Sequence, residues 1–496
     1  MRPVPPRVLK GARVALRLGL VALAWVAGAL FAIAVGDALY STTLPELRPW
    51  HTARLAGEFT ARRAGADESF DGYRAREDRL HAQVRELVAT GFDPGRDAAV
   101  SRFSPDGGPY ARRVQGDWNR SFVLAPASGR AQAAALLVHG ASDSPYSMRP
   151  VALALQAAGY AVYGLRLPGH GTIPAALDAV DWRDWLAAVS LAVRQVRRDH
   201  PDLPFVFVGY STGATLGLKH AADAVRANRL DRLPSRLVLL SPALGVTPLA
   251  PLANVQRLVS RWGLAPKARW GNIDLEIDPY KYTSFARNAG AQVAALIGAL
   301  HDDLARMDRD GSIGRLPPVT SFQSIVDATV STPALAERFY GLLRGGTSEL
   351  VLYDVNRRAD LQALLAFSPD AVVRAFERAP RRDYRLTVIG SAPGAAGVQE
   401  RSWSPGASTA AVRPLGLAWP AGVVSLSHVA IPFPPDDPLY GIEAPHAPDG
   451  LPALGALALR GEHGALAIAP AEQLRLRSNP FHADMVARIL RAAAAR

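Results

Sequence analysis

Gly209-Tyr210-Ser211-Thr212-Gly213 lies between two segments of different character. Leu203-Pro204-Phe205-Val206-Phe207-Val208 precedes it, short, apolar and rich in β-branched and aromatic residues, and reads as a strand. Residues 214–222 follow and read as a helix. A G-x-S-x-G pentapeptide on a strand–turn–helix is a nucleophile elbow, a tight and strained turn that lifts the serine hydroxyl above the sheet. The flanking glycines are required because a Cβ there would collide with the adjoining strand or helix. The pentapeptide alone also fits an ordinary Gly-rich turn; its context makes Ser211 the candidate nucleophile.

Outward from the elbow, strands and helices alternate. Residues 121–126, 133–138, 160–165, 203–208 and 236–240 read as strands, and 148–159, 182–198 and 214–225 as helices. This rhythm predicts a mostly parallel sheet with helices on both faces, where ligands bind beyond the carboxyl ends of the strands. Residues 245 to about 315 break it, with apolar segments at 249–264 and 282–304, and are expected to form a helical lid insertion. Further strands are expected at 319–325, 350–353 and 384–389, and a long Gly-, Ala-, Ser- and Pro-rich surface loop at 391–422.

A serine hydroxyl needs a base to take its proton, an acid to orient the base, and donors aimed at the developing oxyanion. The run Leu136 to Ala141 is a buried strand ending in His-Gly, so Ala141 and Thr212, the residue after the nucleophile, are the expected oxyanion-hole donors. The acid should follow a later strand, where Asp327 and Asp354 compete. The base should lie on a loop after the last strands. His428 stands at the end of the strand-like run Gly422-Val423-Val424-Ser425-Leu426-Ser427 and is the first candidate, with His446, His463 and His482 as rivals.

Val138-His139-Gly140-Ala141-Ser142-Asp143-Ser144-Pro145, Arg166-Leu167-Pro168-Gly169-His170-Gly171-Thr172 and Gly209 to Gly213 occur in that order. Together they resemble the α/β-hydrolase superfamily, in its monoacylglycerol lipase, carboxylesterase and serine-aminopeptidase-like branch. The resemblance is clear over about 120–245, patchy to 490, and silent on residues 1–115. It implies a structural role for His139 and His170. It also implies a strand followed by a small residue, two positions, Asp, two positions and Val, which selects Asp327. Gln323-Ser324 stands where that pattern commonly has a glycine. The order Ser211, Asp327, His428 is the Ser–Asp–His order of the fold.

The implied reaction is hydrolysis of carboxylic esters through an acyl-Ser211 intermediate, with no cofactor. Peptide or amide cleavage and acyl transfer use the same parts, and a non-catalytic scaffold is the third reading. A peptidase would want an acidic cluster for a substrate amine, for which Asp302-Asp303 is available. In the lid, Leu249, Leu252, Val255, Leu258, Leu264, Val293 and Leu296 suit an acyl chain of a lipid-like ester, or ordinary packing.

With 496 residues and 49% hydrophobic side chains the chain can bury a large core. The absence of cysteine excludes disulfides, thiolate metal sites and a cysteine nucleophile. The net charge of +12 is mostly arginine and lacks an aromatic-interleaved basic stripe, so no nucleic-acid partner is expected. Asp436 and Asp437 lack a suitably spaced histidine, so no metal is expected; they can orient a loop or line the site.

Arg2, Arg7, Lys10, Arg13 and Arg17 precede an uncharged run from Leu18 to Gly36, closed by Asp37. A bilayer core needs about 20 helical residues, and basic residues on the N-terminal side place that end in the cytoplasm. The expectation is a single-pass anchor in the cytoplasmic membrane over residues 1–36, a juxtamembrane region over 37–115, and a hydrolase domain over 116–496 on the outer side. Ala32-Ile33-Ala34 allows a cleaved signal peptide and secretion instead. Within 37–115, residues 67–88 have helical spacing, with Leu80, Val84 and Leu87 on one face.

Overall fold

The apolar runs become strands of one ten-stranded sheet in the computed structural model, which describes residues 6–63, 65, 68–91, 101–104, 116–245, 266–357, 368–378, 382–392, 397–443, 454–455 and 475–495. The strands are β1 Phe122–Leu124, β2 Ala133–Val138, β3 Tyr160–Leu165, β4 Phe205–Tyr210, β5 Arg236–Leu240, β6 Trp270–Asn272, β7 Phe285–Ala286, β8 Val319–Ser324, β9 Ser348–Tyr353, β10 Tyr384–Ser391, β11 Gly397–Trp403 and β12 Ala411–Ala418. The helices are α1 Pro6–Thr43, α2 Pro49–Thr52, α3 Phe70–Gly91, α4 Arg149–Ala157, α5 Trp182–Asp199, α6 Thr212–Arg226, α7 Arg287–Asp310, α8 Thr332–Arg338, α9 Pro369–Glu377 and α10 His482–Ala494. The order across the large sheet is β1-β3-β2-β4-β5-β8-β9-β10-β11-β12, and β6 and β7 form a separate pair.

From β3 to β10 every pairing is parallel. Every residue of β2, β3, β4 and β8 is buried, as expected of parallel strands covered on both faces, which read as unbroken apolar runs. On one face, α5, α6 and α7 pack through residues such as Trp185, Leu216 and Leu300. On the other, Val151 and Leu155 of α4 meet Met485 and Ile489 of α10. This is the α/β-hydrolase architecture that the motifs imply.

Three expectations change. First, residues 391–422 are not a long loop, since β10 continues antiparallel into β11 and β11 into β12. The Gly-, Ser- and Pro-rich composition reflects an edge hairpin whose last strand is largely exposed, so it lacks an apolar signature. Second, the run before His428 is not a strand; His428 begins a single 3₁₀ turn, His428–Ala430. Third, the membrane anchor and the outer-side placement resting on it are not upheld. The uncharged run falls inside α1, which continues past Asp37, and Tyr40 near its end donates to the Gly271 carbonyl at 3.1 Å. Among the described residues no helix is long and apolar enough to cross a membrane.

The insertion is described from residue 266 onward; the segment 249–264 lies outside the described residues. Helix α7 is a fixed flank of the core: Leu296, Leu300, Leu304 and Met307 are buried, and the Asn288 amide donates to the Leu177 and Val180 carbonyls at 2.9 Å.

Histidines that the fold pulls below their ordinary pKa bear on its pH dependence. Burial pulls His51, His170, His220 and His482 down to about 4 and His81 to about 3, and pulls His139 well below its ordinary value. As pH falls through about 6.5 the unfolded chain takes up these protons while the native chain does not. Stability is therefore present above 6.5 and lost toward 4. Asp143 and buried Glu276, raised to about 7, and Glu77 and Asp437, also raised, act in the opposite direction but are fewer. The melting temperature followed by calorimetry should fall as pH is lowered from 7 to 4.5; a flat or rising profile would contradict this account.

Candidate active site

The elbow forms where β4 ends and α6 begins. Ser211 takes φ 52 and ψ −115, a left-side conformation that an L-residue adopts under strain. The surroundings over-determine it. Its N–H donates to the Leu240 carbonyl at 2.8 Å, and its own carbonyl accepts from Ala214 N at 3.1 Å and Ala243 N at 3.3 Å. Glycine is obligatory on both sides: a Cβ at Gly209 would lie 2.5 Å from Ala214 Cα, and one at Gly213 would run into the Val138 carbonyl. Thr212 is the first residue of α6, so its N–H has no acceptor within the helix.

The neighbouring loop is built around a neutral histidine. Leu167 N–H donates to His139 Nε2 at 3.0 Å, so Nε2 carries no proton and Nδ1 donates to the Gly140 carbonyl at 2.8 Å. Burial, with the nearby His170 and Arg166, keeps the ring uncharged. Gly140 passes so close to the nucleophile that a Cβ on it would sit 3.1 Å from Ser211 Cβ. Ala141 follows directly, which brings the second expected donor to the elbow. His170 Nδ1 donates to the Pro168 carbonyl at 3.1 Å, and the ring packs edge-on against His139. Both histidines are thus used within the loops.

Asp327 and His428, 101 residues apart, meet with Oδ2 and Nδ1 2.8 Å apart. The carboxylate is well served: Gln323 Nε2 donates to Oδ2 at 3.0 Å, and Thr329 N and Val330 N donate to Oδ1 at 2.8 and 3.0 Å. Burial pushes its pKa up, but the contact with His428 and these hydrogen bonds outweigh it, and the carboxyl stays below its ordinary value. The His428 turn is held to the elbow by Tyr210, whose hydroxyl donates to the His428 carbonyl at 3.3 Å and whose ring lies 5.3 Å from the imidazole. Ser324 Oγ donates to the Leu426 carbonyl at 2.9 Å and ties the end of β8 to the same loop.

Of the rivals, Asp354 is engaged elsewhere, pairing with Arg357 Nε at 2.7 Å. His482 is buried at the start of α10. His446 and His463 lie outside the described residues. Asp437 is a loop anchor, accepting from Leu439 N, Tyr440 N and the Tyr146 hydroxyl.

Two site residues escaped the sequence reading. Gln323 stands out as the departure from a common glycine, and the structure shows why it matters: it is a second donor to Asp327. Asp143 has an oxygen 3.2 Å from the position of a Cβ on Gly140, and burial raises its pKa to about 7, with Lys281 pulling down and Asp278 pushing up. Beside His428 opens a cleft of about 500 Å³ whose walls include Val326, Val423, Leu426, Ile442 and Leu476.

A serine on a strained strand–helix turn and a paired Asp–His on later loops, all at the carboxyl ends of a parallel sheet, form the arrangement that the three motifs imply. Residues 129–340 match the family model for serine aminopeptidase, S33. Over 84 residues the chain is 40% identical to the thermostable monoacylglycerol lipase of Bacillus sp. (strain H-257), which covers 17% of this chain and 32% of that protein. The chain thus spans about a third of the length of the curated relative that it matches. Among solved structures, it is similar to the soluble variant of monoglyceride lipase from Saccharomyces cerevisiae, at 14% identity and TM-score 0.37 over 47% of this chain and 81% of that one. It is also similar to the Paleococcus ferrophilus monoacylglycerol lipase, at 19% identity and TM-score 0.35 over 47% and 87%. The chain resembles the serine-aminopeptidase and monoacylglycerol-lipase branch of the α/β hydrolases, as its three motifs imply.

Proposed function

We propose that this chain hydrolyses carboxylic esters through an acyl-serine intermediate. The observation that carries the reading is the 2.8 Å contact of Asp327 with His428, whose turn is tied to Tyr210, the residue before a serine held at positive φ. Asp327 fixes the imidazole with Nδ1 as donor, which leaves Nε2 free to take the Ser211 proton. Ser211 Oγ attacks the ester carbonyl, and the N–H groups of Ala141 and Thr212 receive the negative oxygen. The protonated His428 then delivers its proton to the leaving alcohol. In the second half it takes a proton from water, whose oxygen attacks the acyl carbonyl, and returns that proton to Ser211 as the acid leaves.

The apolar cleft beside His428 suits the hydrocarbon part of a lipid-like ester. Residues 116–496 serve as the catalytic domain in this reading. In this reading the insertion at about 245–315 bears on substrate choice, while its helix α7 is packed into the core. The peptidase alternative loses its proposed amine site, since Asp303 is buried and already paired with Lys219, Arg226 and Arg306.

The test is a substrate panel on the wild-type protein: a fluorophosphonate probe, monoacylglycerols and short p-nitrophenyl esters, and an aminoacyl amide. Probe labelling with ester turnover well above amide turnover is expected. Labelling with amide turnover dominant would replace esterase by peptidase, and no labelling of folded protein would remove the serine-hydrolase reading.

A further inference from the structure

At the edge of the sheet opposite the nucleophile lies a second cleft, of about 620 Å³. Ser211 and Asp327 follow the carboxyl ends of β4 and β8, whereas this cleft gathers the amino ends. Arg236 and Ser348 open β5 and β9, and Thr320 and Arg385 are the second residues of β8 and β10. Five arginines and three carboxylates line it.

The carboxylates are already used. Arg488 takes Asp484 through Nε and Glu400 through Nη2, both at 2.6 Å, and approaches Glu349 at 3.9 Å. Arg413 adds a second contact to Glu400 at 2.8 Å. That leaves Arg236, Arg385 and Arg491. Among the described residues none of the three has a carboxylate within ion-pair distance. Arg236 reaches Thr320 Oγ1 at 3.3 Å and the Thr347 carbonyl at 3.5 Å, and its buried Nε–H has no acceptor. Arg385 and Arg491 are exposed at the cleft. A buried guanidinium N–H without an acceptor is costly, and like charges converging on one cavity repel. The repulsion falls when a ligand with several anionic oxygens enters, because the guanidinium fork matches phosphoryl and carboxylate geometry.

We propose that this cleft is a binding site for a small polyvalent oxyanion, separate from the active site. The experiment is calorimetric titration of the full chain at low ionic strength with sodium pyrophosphate and, in a second arm, sodium citrate. Wild type is compared with Arg385→Ala/Arg491→Ala and with Arg62→Ala/Arg63→Ala, which removes the same charge from exposed positions elsewhere. Saturable one-site binding of either anion, weakened about ten-fold or more by the first pair and unchanged by the second, is expected. The tighter arm identifies the oxyanion as phosphoryl or carboxylate. Absence of binding in both arms, or equal weakening by both pairs, would overturn the site. Neither Arg385 nor Arg491 makes an internal ion pair among the described residues, so the variant keeps its fold, which its melting temperature verifies.

Discussion

Ser211→Ala is expected to abolish fluorophosphonate labelling and to lower kcat for a carboxylic ester by about 10⁵-fold or more. The size follows from the division of labour. In the proposed mechanism, with Oγ gone, His428 has no nucleophile to deprotonate, and any remaining acceleration would come from the oxyanion donors and substrate binding alone. The substitution should leave the fold in place. The contacts that hold the elbow use the Ser211 backbone: its N–H on Leu240 and its carbonyl on Ala214 and Ala243. Alanine retains all of them and carries the same positive-φ strain that serine already carries. Labelling or full turnover in a folded Ser211→Ala protein would place the nucleophile elsewhere. Asp327→Asn is the companion measurement, expected to cost on the order of 10⁴-fold in kcat because the amide favours the wrong imidazole tautomer.

The centre of the sheet was legible because its strands are parallel and doubly buried, and several print unbroken apolar runs such as residues 133–138 or 205–208. The hairpin of β11 and β12 was not, because an exposed edge strand selects no apolar pattern. The residues that meet at the site were legible where motif and chain order coincide. Ser211 is marked by its glycines, and Asp327 and His428 by their positions after later strands. Gln323 escaped since nothing in a linear sequence shows that its amide turns toward a carboxylate four residues on. The N-terminal region was the least legible. The spacing of Leu80, Val84 and Leu87 marks a helix, but the residues that bind that helix to Arg166 are Tyr73 and Glu77, polar groups at buried positions, which a hydrophobic pattern does not reveal.

Arg166→Met is expected to destabilise the protein by about 3–5 kcal/mol, the usual cost of stranding the partners of a buried ion pair. Arg166 is wholly buried and is held by two carboxylates from the N-terminal region. Its Nε donates to Glu77 at 3.0 Å, and its Nη1 and Nη2 donate to Glu58 at 3.1 and 2.9 Å. Nη1 also donates to the His170 carbonyl at 2.8 Å, and Glu58 accepts from Gly169 N at 2.9 Å. The cluster therefore fastens the Leu167-to-Thr172 loop, and that loop supplies the Leu167 N–H that fixes the His139 tautomer beneath Gly140. Burial alone would raise both carboxyls; the Arg166 charge and hydrogen bonds bring Glu58 below its ordinary value, while Glu77 remains above it. With methionine at 166, two buried carboxylates lose their cation, and one or both must take up a proton. Chemical denaturation should show the loss, and it should shrink at lower pH as those carboxyls protonate. The triple variant Glu58→Gln/Glu77→Gln/Arg166→Met removes the stranded charges and is expected to recover most of the stability. It does not restore the donor to His170, so its rate of fluorophosphonate labelling at Ser211 should stay about ten-fold below wild type, roughly the weight of one lost charge-assisted hydrogen bond. If Arg166→Met is as stable as wild type, the N-terminal region is not fastened to the hydrolase core through this cluster. If the triple variant labels at the wild-type rate, the loop is positioned without it.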